Sequence, residues 1–151
     1  MKRNLLSLAF ITFSLFAFQN AVFGQKQIEP QIQRDPILEL DANHNLEVAN
    51  QYFKTKKAYK AVLMRFEETF AAYPEYSKMD QFLYLAGMSS FYLSENKGKQ
   101  KIVSEEDKKK FAPEKLREDA TAYLAQLVEK YPQSTFKDEA AKTLKSLEAK
   151  K

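Results

Sequence analysis

The sequence predicts an all-α protein, an α-solenoid of about five helices paired as hairpins. Two observations predict it. From residue 44 onward apolar side chains recur at spacings of three and four, and no stretch alternates as a strand does. A phrase centred on Tyr-Pro also occurs twice, "TFAAYPEYSKMDQF" at Thr69–Phe82 and "LVEKYPQSTFKDEA" at Leu127–Ala140. Proline disfavours the helical conformation at the residue before it, so each Tyr-Pro marks a helix end, and an acid in the next first turn marks a restart.

The elements follow in order. Residues 1–24 open with Lys2 and Arg3, continue with an uncharged run from Leu5 to Phe18, and place Gly24 two positions after Val22. This pattern predicts a secretory signal peptide cut after Gly24 and an exported chain. The run is shorter than the roughly 20 apolar residues of a bilayer span, which argues against a retained anchor. Residues 25–43, with two prolines and little periodicity, read as an extended leader whose Ile37–Leu40 segment folds back as a cap.

A helical domain is expected over residues 44–150. Its five helices are marked by Leu46, Ala49 and Phe53; by Tyr59, Val62, Leu63, Phe66 and Phe70; by Phe82, Leu83, Ala86 and Ser90; by Leu116, Ala120, Leu124, Leu127 and Tyr131; and by Ala140, Ala141, Leu144 and Leu147. Starts are predicted at Ser77/Asp80, Ser104/Asp107 and Thr135/Asp138, where a hydroxyl can satisfy a free backbone N–H. Pro113 suits a first helical turn, where its missing N–H costs nothing.

Composition narrows the function classes. Removing residues 1–24 takes away Lys2 and Arg3 and no acid, which lowers the basic residues from 24 to 22 against 20 acids. The remainder is nearly neutral, and its lysines are interleaved with Glu and Asp along helix faces, so no nucleic-acid stripe is expected. Cysteine is absent from the 151 residues, which leaves no disulfide, no thiol nucleophile and no lipid-accepting thiol. The single histidine, His44, reads as a surface or capping residue at a helix start, with no second ligand at metal spacing. Three glycines leave no room for a phosphate-cradling loop. Adjacent acids at Glu67 and in "SEED" from Ser104 point apart on a helix, so they do not form a catalytic pair. No catalytic, cofactor-binding or metal-binding residue and no small-molecule substrate is therefore expected, and the chain reads as a binding protein rather than an enzyme.

"LEVANQYFKTKKAYKAVLMRFEETFAAYP" resembles a tetratricopeptide repeat, a helix pair of roughly 34 residues closed by proline. Leu46, Ala49 and Phe53 fall on packing positions of the first helix of the repeat, and Tyr59, Val62, Phe66 and Pro74 on those of the second. "FLYLAG" restarts the pattern and "DATAYLAQLVEKYP" completes it. The two Tyr-Pro pairs lie 58 residues apart, which implies a charged insertion at residues 94–115. "YPEYSKMDQFLYLAG" and "YPQSTFKDEAAKTL" are similar to the BamD-type branch, periplasmic scaffold lipoproteins of outer-membrane protein assembly. The likeness covers about residues 45–147.

The resemblance implies a right-handed solenoid whose first helices line a concave groove. In that register the groove positions fall on Glu47, Gln51 and Lys54, then on Tyr84, Met88, Phe91 and Tyr92. The helix carrying the second set is apolar nearly all round, so it is either fully buried or half of an interface. Two functions follow from the resemblance. One is a scaffold for outer-membrane protein assembly or envelope biogenesis, peripherally associated with the outer membrane through its partners. The other is a Tol-Pal-type or cell-division adaptor. In both the partner is a protein or peptide of the cell envelope, and self-association through an uncapped end is a further expectation.

Overall fold

The computed structural model describes residues 34–149. The expected signal segment and the leader as far as residue 33 lie outside them. Among the described residues there are α-helices, one π-helical turn and no strand.

Helix α1, Pro36–Gln51, runs into a π-helical turn at Tyr52–Lys56 and stops at Lys57, whose φ is 49°. It corrects the expectation of an extended leader up to residue 43 and of a helix start near His44. The Asp35 side chain accepts hydrogen bonds from the Ile37 and Leu38 N–H groups at 2.8 and 3.4 Å, with Pro36 in the first turn. Asp35, itself extended at φ −73° and ψ 118°, thus serves as the cap of a helix that begins at Pro36. The capping idea for Ile37–Leu40 also fails: Ile37 and Leu40 are 72% and 69% exposed on the first turns of α1.

Helix α2, Tyr59–Ala72, buries Tyr59, Val62, Leu63, Phe66 and Thr69 along one stripe. Phe70, read from the sequence as core, sits at the edge, 36% exposed and stacked on Phe66. The helix ends at Tyr73, which lies outside helical geometry at φ −150° and ψ 75°. Helix α3, Met79–Ser94, follows and is buried without a break from Phe82 to Ser90. Helix α4, Glu105–Lys110, is a short piece within the insertion. Helix α5, Pro113–Lys130, begins on proline and stops at Tyr131, and α6, Lys137–Glu148, closes the described chain.

Each helix packs on the next long one: α1 on α2, α2 on α3, α3 on α5, and α5 on α6. Because α3 also meets α1 and α6, it is the central rod. Its small residues set how closely α5 approaches. A Cβ placed on Gly87 would lie 2.6 Å from Cγ and Cδ2 of the fully buried Leu124, so the helices touch there with no room for a methyl group.

The repeated Tyr-Pro phrase has a second role besides stopping helices. After Pro74, Ser77 donates through its hydroxyl to Glu39 on α1, and the buried Tyr76 hydroxyl donates to Asn43 at 2.9 Å. After Pro132, Ser134 donates to Asp80 on α3 at 2.7 Å. Each turn therefore grips a carboxylate near the start of the preceding outward-running helix. Two of the three predicted cap sites do not cap, and at Ser77 the reason is this bond. Ser77 is spent on Glu39, so α3 starts at Met79 without a side-chain cap, and α6 starts at Lys137 without one. Ser104 does cap α4, accepting from the Asp107 N–H at 3.1 Å.

The insertion is held on α2. Lys60 pairs with Asp107 at 2.5 Å and Lys110 with Glu67 at 2.6 Å. Phe111, only 5% exposed, lies beneath the Lys60 and Lys110 ammonium groups, 5.7 and 5.6 Å from its ring centre. The Lys60 hydrogen bond is the main cause that holds the Asp107 carboxyl below its ordinary range.

Candidate partner-binding surface

The seven residues picked from the sequence separate into two groups. Glu47 and Gln51 on α1 and Lys54 in the π-helical turn are exposed, one turn apart, and their side chains make no hydrogen bond or ion pair among the described residues. The α3 set is mostly enclosed. Tyr84 is 8% exposed and Met88 4%. The Tyr84 ring stacks on Phe136, centroids 4.7 Å apart, and the Thr143 hydroxyl of α6 points at the Met88 sulfur, 3.5 Å away. Burial first, and then interaction with the Glu139 carboxylate, hold the Tyr84 hydroxyl above the ordinary phenol range.

Tyr84 and Met88 therefore do not face an open groove; α6 covers them. An all-apolar helix had two solutions, and the chain takes burial for these residues because α6 lands on that side of α3. Phe91 and Tyr92, one turn further on, stay half-buried.

A residue assigned from the sequence to core packing joins them. Phe53 sits in the π-helical turn, half-buried, with its ring 5.5 Å from Tyr59, 6.0 Å from Tyr92 and 6.4 Å from Tyr84. The extra residue that a π turn inserts rotates the end of α1 relative to the rest of the helix. Nothing in the periodicity up to Ala49 signals that rotation, although the Lys-rich stop "KTKK" marks the spot. The result is an aromatic seam joining α1 and α3, with Tyr59 buried beneath it.

A cleft of about 620 Å³ also opens on α2, lined by Tyr52, Met64, Arg65, Glu67, Glu68 and Lys110. Its charges are already matched, Arg65 to Glu68 at 2.7 Å and Lys110 to Glu67 at 2.6 Å, so it presents a neutral wall rather than a charged pocket. His44 is exposed in the middle of α1 rather than at its start. Among the described residues, no cluster of three or more His, Asp or Glu side chains has the geometry to hold a metal ion.

Helices paired in sequence order and a polar face beside a half-open aromatic seam define a class: an all-helical hairpin protein that presents surfaces. The chain belongs to the YfiO family, described as outer membrane lipoproteins, which it matches over residues 46–150. This is the BamD-type family that the two Tyr-Pro phrases resemble. Membership implies a place in the cell envelope. No helix among the described residues is long and apolar enough to cross a membrane. No curated protein and no solved structure matches the chain.

Proposed function

We propose that this protein is an exported, non-catalytic scaffold of the periplasm that holds a folded protein partner in outer-membrane protein assembly. Its helices are read as a short right-handed solenoid of tetratricopeptide-like hairpins, with α1 and α3 as first helices and α6 as the closing one. The observation that carries this reading is the family match over residues 46–150, joined to the sequence-order pairing of the helices. The proposal includes cleavage of the segment 1–24 on export.

The state of the surface favours a folded partner over an extended client. An apolar client needs a continuous apolar trough, and Tyr84 and Met88, which were to floor it, are under α6. What remains is the polar face of Glu47, Gln51 and Lys54 with the aromatic seam of Phe53, Phe91 and Tyr92 as the second docking element. Interfaces of this kind place a few aromatic anchors inside a polar rim.

Photo-crosslinking residues at positions 51 and 54, with a third at 130 as the control, test this in cells. The expected result is one discrete adduct from 51 and 54, identified by mass spectrometry as a component of outer-membrane assembly, and none from 130. A smear of many unfolded outer-membrane proteins, or an adduct that forms equally from 130, would overturn the proposal.

A further inference from the structure

We propose that the lysine-rich end of the hairpins, built from residues 54–57 and 97–101, docks on the anionic headgroups of a lipid bilayer. Lys54, Phe91 and Tyr92 also border the partner face proposed above, so the test below changes Lys97, Lys99 and Lys101, which that face does not use.

The two segments are far apart in sequence and meet in the fold. Neighbouring helices run in opposite directions, so the end of α1, the start of α2 and the end of α3 lie together, while both Tyr-Pro turns lie at the other end. Three contacts fix the junction. The Lys99 N–H donates to the Lys57 carbonyl at 3.0 Å, and the Ala61 N–H donates to the Gln100 side-chain oxygen at 3.0 Å. Gly98, at φ 117°, presses against the Tyr59 ring so closely that a Cβ there would sit 2.9 Å from it. A side chain would be strained by that φ and would collide, so this position needs glycine.

The junction gathers Lys54, Lys56, Lys57, Lys97, Lys99 and Lys101, all exposed and none in an ion pair among the described residues. Lys60, beside them, is neutralised by Asp107. In residues 54–60 there is no acid, and in residues 95–101 only Glu95. The opposite end is mixed: Lys78, Lys130 and Lys137 stand with Glu75, Asp80, Glu129, Asp138 and Glu139. The two segments thus carry an excess of positive charge, while the insertion beside them is mixed, with Glu105, Glu106 and Asp107 next to Lys108, Lys109 and Lys110.

Aromatic rings lie among these lysines. The Lys56 ammonium stands 4.8 Å from the Tyr52 ring centre, and Lys97 stands 5.9 and 5.7 Å from those of Phe91 and Tyr92. Lysine is a hydrated point charge on a flexible stem, suited to a diffuse sheet of negative charge. Recognition of a single carboxylate or phosphate in a pocket favours the planar fork of arginine. No arginine occurs in either segment. Half-exposed aromatics beside lysines match the water–hydrocarbon boundary, where such rings concentrate. The outer membrane, where the family resides, supplies the surface.

Co-sedimentation of the full chain with phosphatidylcholine vesicles, with and without about a third of phosphatidylglycerol, tests it. Each lysine near an anionic bilayer contributes about a factor of five to binding, so Lys97→Gln/Lys99→Gln/Lys101→Gln should lower partitioning onto the anionic vesicles roughly a hundredfold. Binding to pure phosphatidylcholine, which any apolar N-terminal segment shares between variants, should not change. The matched variant Lys78→Gln/Lys130→Gln/Lys137→Gln removes the same charge from the other end and should bind like the parent. Equal losses in the two variants would reduce the effect to net charge and overturn the proposal. It would be overturned as well if the parent bound a polyglutamate peptide through these lysines and ignored anionic vesicles.

Discussion

Phe66→Ala tests the packing on which every surface described above depends. The Phe66 ring is 1% exposed and joins three helices: it stacks on Phe70 at 5.3 Å, meets Phe82 of α3 edge-on at 5.7 Å, and meets Tyr123 of α5 edge-on at 4.8 Å. Removing a buried benzyl group costs about 3–5 kcal/mol, and the value within that range depends on how far the walls collapse. Phe82 is fully buried and cannot move in, but Phe70 and Tyr123 each have a free side and can rotate inward. The loss should therefore fall near the lower bound, about 3 kcal/mol. That is a large share of a typical domain's stability, roughly 5–15 kcal/mol. At roughly 3–4 °C per kcal/mol for a domain of this size, the melting temperature should drop by about 10 °C. Far-ultraviolet circular dichroism followed through heat and urea unfolding measures both quantities. Phe70→Ala is the internal control and should cost less than half as much. A Phe66→Ala loss below about 1 kcal/mol, or equal losses at the two positions, would refute the core assignment.

The enclosure of Tyr84 predicts that Tyr84→Ala melts like a core truncation, with a loss approaching that of Phe66→Ala. An unchanged melting curve would return Tyr84 to the accessible surface. The Lys60–Asp107 pair predicts a pH dependence confined to the insertion. The folded Asp107 carboxyl titrates below its unfolded value, so its contribution is present above the ordinary carboxylate range of about 4 and is lost as the pH falls through the folded value. Amide exchange in residues 104–111 should accelerate over that interval while the core stays protected. Asp107→Asn should abolish the step; its persistence in that variant would assign the effect to another group.

Much of the helical scaffold was legible because its signals are local. The Tyr73-Pro74 and Tyr131-Pro132 stops, the proline start of α5 and the Ser104 cap are decided by a few neighbouring atoms, and the sequence shows them directly. The core stripe of α2 from Tyr59 to Phe66 was legible for the same reason, since a periodicity of 3.6 needs no knowledge of the partner helix. The start of α1 was also written locally, in Asp35-Pro36, but its first turns carry exposed Ile37 and Leu40 and so lack the buried stripe that periodicity detects. Ser77 misled because a serine near a helix start has several available partners, and here Glu39, distant in sequence, takes the hydroxyl.

What the sequence by itself determined about this protein is a set of helices with their stops, and a resemblance that fixes its family. Tertiary structure alone decided which side of α3 meets solvent, because an apolar helix carries no mark of where its neighbours will lie. It also decided where the lysines gather. Residues 54–60 and 95–101 are short acid-poor stretches set far apart in a nearly neutral sequence. Antiparallel pairing then carries the acid-poor turns to one end of the helices, where their fields add.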